Sequence, residues 1–296
     1  MKKHSDPDKV WTISELINWT SEYFETREID SPRMTVEYLL AHTLKISRMD
    51  LYLQYDKPLV REELDRFKAF IQRRIQREPL AYITGTKGFW TLDLAVSNHV
   101  LVPRPDTECI VEEALKKIPK TDLNGTLTIA DLGTGSGAIV LSLASERPEN
   151  KYFAVDISAE ALKTATANAK ANCPEADITF INSSWFTGFQ NGEQFDIIVS
   201  NPPYIPSGDI GGLQPEITKY EPVLALDGDH DGLKCIRHII NRAPEYLKPG
   251  GWLFIETGFD QKQSVTTIAS NSNAYTDIEY TKDFGGNNRV VKMKKK

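Results

Sequence analysis

Cysteine is scarce in this chain: Cys109, Cys173 and Cys235 are odd in number, far apart and form no C-x-x-C pair. Disulfides and a zinc site are therefore both disfavoured, and the three read as reduced packing residues. His42, His99, His230 and His238 fall at no spacing that suits a metal or a triad. Long apolar runs are missing too. No stretch approaches the length needed to cross a bilayer, and Met1 to Val10 is polar, with two aspartates and no signal-type apolar region. The expectation is a cytoplasmic protein with no membrane partner and no bound metal. Positive charge is also short: the net charge is −6, which argues against stable nucleic-acid binding through phosphates and favours a protein partner. The basic residues of Arg61 to Arg77 are diluted by Glu62, Glu63 and Asp65 and read as a solvated helix face. What remains is ordinary globular composition, and 296 residues suffice for two domains with a sizeable core.

The most informative run is Phe195-Asp196-Ile197-Ile198-Val199-Ser200-Asn201-Pro202-Pro203-Tyr204, an apolar strand that delivers Asn, two prolines and Tyr into a turn. Pro202 and Pro203 lack N–H groups and have fixed φ, so the sheet ladder stops and local carbonyls lose their usual partners. Asn201 adds a side-chain acceptor and Tyr204 a flat aromatic surface. Together they suit a planar NH2 group, with two acceptors for its hydrogens and a ring against its face. Upstream, Leu127 to Leu132 reads as a buried strand running into Gly133-Thr134-Gly135-Ser136-Gly137 and then a helix, the pattern of a nucleotide-binding turn. The strand Lys151 to Val155 ends in Asp156, placed either to accept hydrogen bonds from a ribose or to cap the helix after Ser158. NAD and S-adenosylmethionine both satisfy the glycine pattern. The Asn-Pro-Pro-Tyr turn favours the second, because hydride transfer needs no amide clamp whereas methylation of an amide or exocyclic amine does.

Residues 1–81 read as a helical bundle. Ile13, Leu16, Ile17, Tyr23 and Phe24 share one face, Ser31-Pro32 opens a second helix, Ser47 begins a third, and Leu64, Phe67, Ile71 and Ile75 line a longer one. Alternation over residues 82–102, with Gly85 and Gly88 as turn points, predicts a β-hairpin linker. Residues 103–296 alternate strands at 126–132, 151–155, 177–182, 194–200, 251–256, 276–281 and 288–294 with helices at 137–146, 158–171, 230–247 and 260–270, and Asp106 is placed to cap a helix running to Lys117. The two last strands predict an antiparallel hairpin on an otherwise parallel α/β sheet. Glycines and prolines across 205–230 suggest a mobile segment over the site.

The chain resembles the protein-(glutamine-N5) methyltransferases of the PrmC/HemK family, which modify class I peptide-chain release factors. The resemblance is carried by Glu78-Pro79-Leu80-Ala81-Tyr82-Ile83-Thr84-Gly85, Phe89-Trp90, Val102-Pro103-Arg104-Pro105-Asp106-Thr107-Glu108, Asp131 to Ile139, Asn201 to Ile205, Asp231-Gly232-Leu233 and Pro249-Gly250-Gly251. It implies a Rossmann-like, seven-stranded class I methyltransferase domain behind an N-terminal helical substrate-recognition domain and a hairpin linker, in a monomer. It implies methyl transfer from S-adenosylmethionine to the glutamine of a Gly-Gly-Gln motif, in support of translation termination. Gly133 to Gly137 would contact the methionine part of the donor, Asp156 its ribose and Trp185 its adenine surroundings, while Asn201 to Tyr204 would hold the glutamine, with Asn201 also reaching the donor. Trp185 reads equally as core, Phe89 as hairpin core or substrate contact, and Arg104 as an ion pair or a contact at the site's mouth. Asp106 stands where the family has Glu.

Overall fold

The computed structural model describes residues 10–120, 125–189 and 194–296. They form two compact units: the residues up to Gly85 together with Pro215–Tyr220, and Thr86–Gln214 together with Glu221–Lys296.

The first unit holds helices Ile13–Glu25, Pro32–Leu44, Arg48–Leu53, Arg61–Ile75 and Leu80–Thr84 around a core that includes Ile13, Phe24, Leu39, Leu40, Phe67 and Ile71. Thr12 with Glu15, and Ser47 with Asp50, form reciprocal capping boxes that satisfy the free N–H groups of the first and third helices. Ser31 does not cap: its φ of 46° is left-handed and its hydroxyl makes no cap bond, so Pro32 at the first helical position sets the start instead. The solvated-face reading of Arg61–Ile75 fails at Arg74. That side chain is buried, and its guanidinium donates to Glu216 at 2.9 Å; Glu216 also pairs with Arg77 at 3.4 Å. The Tyr220 hydroxyl donates to the Gln76 carbonyl at 2.9 Å, so the helix Pro215–Tyr220 completes this unit. The segment expected to be mobile thus contains ordered helix.

In the second unit the hairpin is shorter than expected. Tyr82 to Thr84 are helical, and only β1 (Thr86–Phe89) and β2 (Leu92–Ala95) pair, antiparallel, from Thr86↔Ala95 to Phe89↔Leu92. The main sheet comprises β3 (Thr128–Leu132), β4 (Lys151–Asp156), β5 (Asp177–Asn182), β6 (Phe195–Ser200), β7 (Leu247–Glu256), β8 (Tyr275–Lys282) and β9 (Asn288–Lys295), in the order β5-β4-β3-β6-β7-β9-β8. Strand β9 runs antiparallel to both β7 and β8; the other pairings are parallel. Strand β7 begins at Leu247, ahead of the expected 251, because Leu247 pairs with Phe195 before the register shifts past Pro249-Gly250-Gly251.

Alternation along the central strands feeds two cores, one on each sheet face. Ile129, Ile197 and Val199 meet helices Glu108–Leu115 and Ala138–Glu146 in one, whereas Ala130, Leu132 and Ile198 meet Lys234–Tyr246 and Lys262–Asn271 in the other. Asp106 sits in the 3-10 turn Pro105–Thr107, makes no cap bond and pairs with Arg289 at 3.2 Å. The expected cap is thereby replaced by an ion pair that ties the turn to β9.

Candidate active site

The chain order β3-β4-β5 runs one way across the sheet and β6 lies on the other side of β3. In parallel sheets such a reversal opens a crevice at the strands' carboxyl ends, where ligands bind. Leu132 pairs with Ser200, so the chain leaves these neighbouring strands into Gly133 and Asn201 side by side. A cavity of about 360 Å³ lies here, in the ~300–1,000 Å³ range of small-molecule sites.

Gly133, Thr134, Gly135 and Ser136 line it. The turn is held by its own backbone: the Gly133 and Thr134 N–H groups both donate to the Val155 carbonyl, at 2.8 and 2.9 Å. Gly135 has φ +57°, and a Cβ built there would meet no atom within 4 Å, so the backbone faces open space on that side. Gly137 has another task and does not line the cavity. It caps Ala138–Glu146 at φ +85°, and a Cβ there would come within 3.0 Å of Leu141. Beneath the turn, Asp131 accepts from Thr134 Oγ1 at 2.7 Å and from the Val140 N–H at 3.3 Å. Burial raises its carboxyl to about 7 against those two bonds.

Asp156, at the end of β4, lines the cavity and uses both oxygens locally. Oδ2 accepts the Gly135 N–H at 2.9 Å and Oδ1 the Ser158 N–H at 2.8 Å. Desolvation raises its pKa, while these backbone donors pull it down. Trp185 also reaches the wall. Its φ is +50°, and its ring carbons lie 3.5 and 3.8 Å from where a Gly133 Cβ would stand.

Of the Asn-Pro-Pro-Tyr turn, Asn201 and Pro203 line the cavity. Asn201 Nδ2 donates to Thr107 Oγ1 at 3.1 Å, which leaves Oδ1 as the acceptor. Pro202 is buried and does not line it. Tyr204 packs against the second core and donates its hydroxyl to Glu256 Oε1 at 3.2 Å, so its ring is not the wall expected from the sequence. Phe89 is likewise not a cavity residue: it is 2% exposed within the first core, where hairpin alternation sends it. Arg104 does both things left open for it, lining the cavity and donating to the buried Glu221 at 2.6 Å. Sequence reasoning passed over Thr107, Leu224, Asp227 and Lys234, and took Cys235 for a packing residue although it too lines the cavity. Only the proximity of Thr107 to Arg104 in the Pro-Arg-Pro segment hinted at the first, and nothing local marks the others.

A glycine turn after the first strand, an acidic residue ending the second and an Asn-Pro-Pro-Tyr turn after the fourth, on this strand order, define a class I methyltransferase. The solved structures agree on the fold. A methyltransferase from Pyrococcus furiosus superposes with TM-score 0.51 at 21% identity, covering 75% of this chain and 98% of that one. A Thermus thermophilus 16S rRNA N2 G1207 methyltransferase in complex with AdoMet and guanosine gives 0.50 at 17%, covering 71% and 50%. By sequence, the PrmC N-terminal domain family matches residues 15–85 and the methyltransferase small domain family residues 113–211. The release factor glutamine methyltransferase of Geobacter sulfurreducens is 41% identical over 287 residues, 97% of this chain and 98% of that protein. That of Salmonella typhimurium is 41% identical over 267 residues, 90% and 94%. The chain belongs to the release factor glutamine methyltransferase family.

Proposed function

We propose that this enzyme methylates the side-chain amide nitrogen of the glutamine in the Gly-Gly-Gln motif of class I release factors, with S-adenosylmethionine as donor. The observation that carries the reading is the Asn201 amide: its NH2 is committed to Thr107, so its carbonyl oxygen is the acceptor left beside the glycine turn. The residues suit the donor. The open side of Gly135 admits a ligand to the backbone, Asp156 keeps lone pairs for a ribose diol, and Trp185 offers an aromatic face. S-adenosylmethionine supplies a methyl group on a sulfonium centre.

A glutamine amide nitrogen is a weak nucleophile because its lone pair is delocalised into the carbonyl. Asn201 Oδ1 accepts one amide hydrogen, which aims the lone pair into the cavity. Positive charge growing on nitrogen is then met by dipoles already in place. The proton leaves afterwards to water. The helical unit serves recognition of the release factor, in a cytoplasmic monomer acting in translation termination.

The test is incubation with labelled S-adenosylmethionine and purified release factor, then peptide mapping. One methyl on the Gly-Gly-Gln glutamine is expected. Label on another residue, or none, overturns the reading.

A further inference from the structure

An Asn side chain presents an oxygen and an NH2 of nearly the same shape, and a flip exchanges an acceptor for a donor. The cavity-facing atom of Asn201 is therefore set by whatever grips its other end, and that group is the Thr107 hydroxyl, 3.1 Å from Nδ2. A hydroxyl carries one proton, so Thr107 reliably accepts from Asn201 only if its own proton is engaged elsewhere. Glu256, which ends β7 at 1% exposure, is the acceptor within its influence. Tyr204 donates to this carboxyl at 3.2 Å, and the Thr107 hydroxyl is the other one that pulls its pKa down. Glu256 Oε1 takes Tyr204, and Oε2 is buried without a hydrogen bond, an acceptor to which the Thr107 proton can turn. An ionised carboxylate accepts and never donates, so it gives the Thr107 proton a single direction. The Asp106–Arg289 pair at 3.2 Å and the Arg289–Asp283 pair at 3.1 Å pin the turn that carries Thr107.

We propose that Thr107 is a positioning residue that holds the Asn201 amide with its oxygen toward the cavity, and that Glu256 sets the direction of the Thr107 hydroxyl. The inference rests on the amide-clamp reading above. Burial lifts the Glu256 carboxyl to about 7, with Thr107, Arg289 and Tyr204 pulling it down and Asp106 pushing it up, so the relay is measured at pH 8, where the carboxylate form dominates.

Thr107→Val keeps the shape and removes the hydroxyl, whereas Thr107→Ser keeps the hydroxyl. The Asn201 side-chain NH2 signals, assigned by their loss in Asn201→Asp, should show one proton protected from exchange in the wild type and in Thr107→Ser, and neither in Thr107→Val. In Thr107→Val, kcat on release factor should fall roughly 30- to 100-fold with the Kd for S-adenosylmethionine within about threefold, and Thr107→Ser should recover most of it. Glu256→Gln, which can donate as well as accept, should reproduce the amide signature of Thr107→Val and serves if the latter does not fold. Unchanged Asn201 signals in Thr107→Val, full kcat, a Thr107→Ser as poor as Thr107→Val, or parallel loss of donor affinity and cooperative melting would each overturn the proposal. If the wild type leaves the release factor glutamine unmethylated, the clamp reading fails, while the Asn201 signals still decide whether Thr107 orients it.

Discussion

Asp156 Oδ2 accepts the Gly135 N–H at 2.9 Å, so the end of β4 holds the turn that leaves β3. One carboxylate thus both shapes the cavity floor and faces its contents. Asp156→Ala should raise the Kd for S-adenosylmethionine about ten- to a hundredfold, from the ~1.5–3 kcal/mol of a hydrogen bond to a charged group. Calorimetry checks this. A lowered Tm with unchanged affinity would reassign Asp156 to the turn alone.

Asn201→Ala should lower kcat about a hundred- to a thousandfold, the usual cost of one preorganised polar contact, and leave donor affinity within a few fold. Single-turnover rates with saturating donor measure it. A variant with near-normal turnover would sink the clamp.

Asp131 gives a pH dependence whose sign is fixed by its burial. Its folded pKa of about 7 stands above the model-peptide value of 3.8, so the folded state binds the proton more tightly than the unfolded chain. Its stabilising contribution is full below about pH 4 and is lost as pH rises toward 7. Denaturant midpoints at pH 5.5 and 8 should show the wild type losing stability relative to Asp131→Asn across that interval. A difference between the two proteins that does not change with pH would contradict the assignment.

Arg74→Ala should cost about 1.5–3 kcal/mol, because it removes the shorter of the two guanidinium contacts to Glu216 and leaves Arg77 at 3.4 Å. Replacing both partners, as Arg74→Met with Glu216→Leu, should recover much of that. Amide hydrogen exchange over Pro215–Tyr220 reads the effect locally, and equal protection in the wild type and Arg74→Ala would argue against it.

Phe89→Ala should destabilise by about 3–5 kcal/mol through the cavity it leaves, with KM for release factor unchanged. A raised KM at intact stability would return Phe89 to the substrate site.

Much of the sheet was legible because buried parallel strands announce themselves as short apolar runs and Gly133 to Gly137 follow one of them. Asn201 was legible because two prolines after a strand leave few structural alternatives. What escaped reading depended on distant partners. Thr107 carries no local signature, and its place beside Asn201 comes from a turn and a strand end that meet only in the fold. Asp106 had a cap within reach in sequence but found Arg289 across the sheet. Phe89 shows the limit of alternation, which gives a side without saying whether that side is core or cavity. Pro215–Tyr220 lies among glycines and prolines, and what orders it is Arg74, invisible to any window of sequence.

That last helix bears on the order of synthesis. Arg74 leaves the ribosome 142 residues before its carboxylate partner Glu216. Domains generally form in the sequence in which they are made, but here the leading one lacks its closing helix until most of the second has been translated. The nascent first 85 residues therefore wait with the Arg74 guanidinium held only by the Glu78 carbonyl, and a ribosome stalled before codon 216 would release a chain in which neither unit is complete.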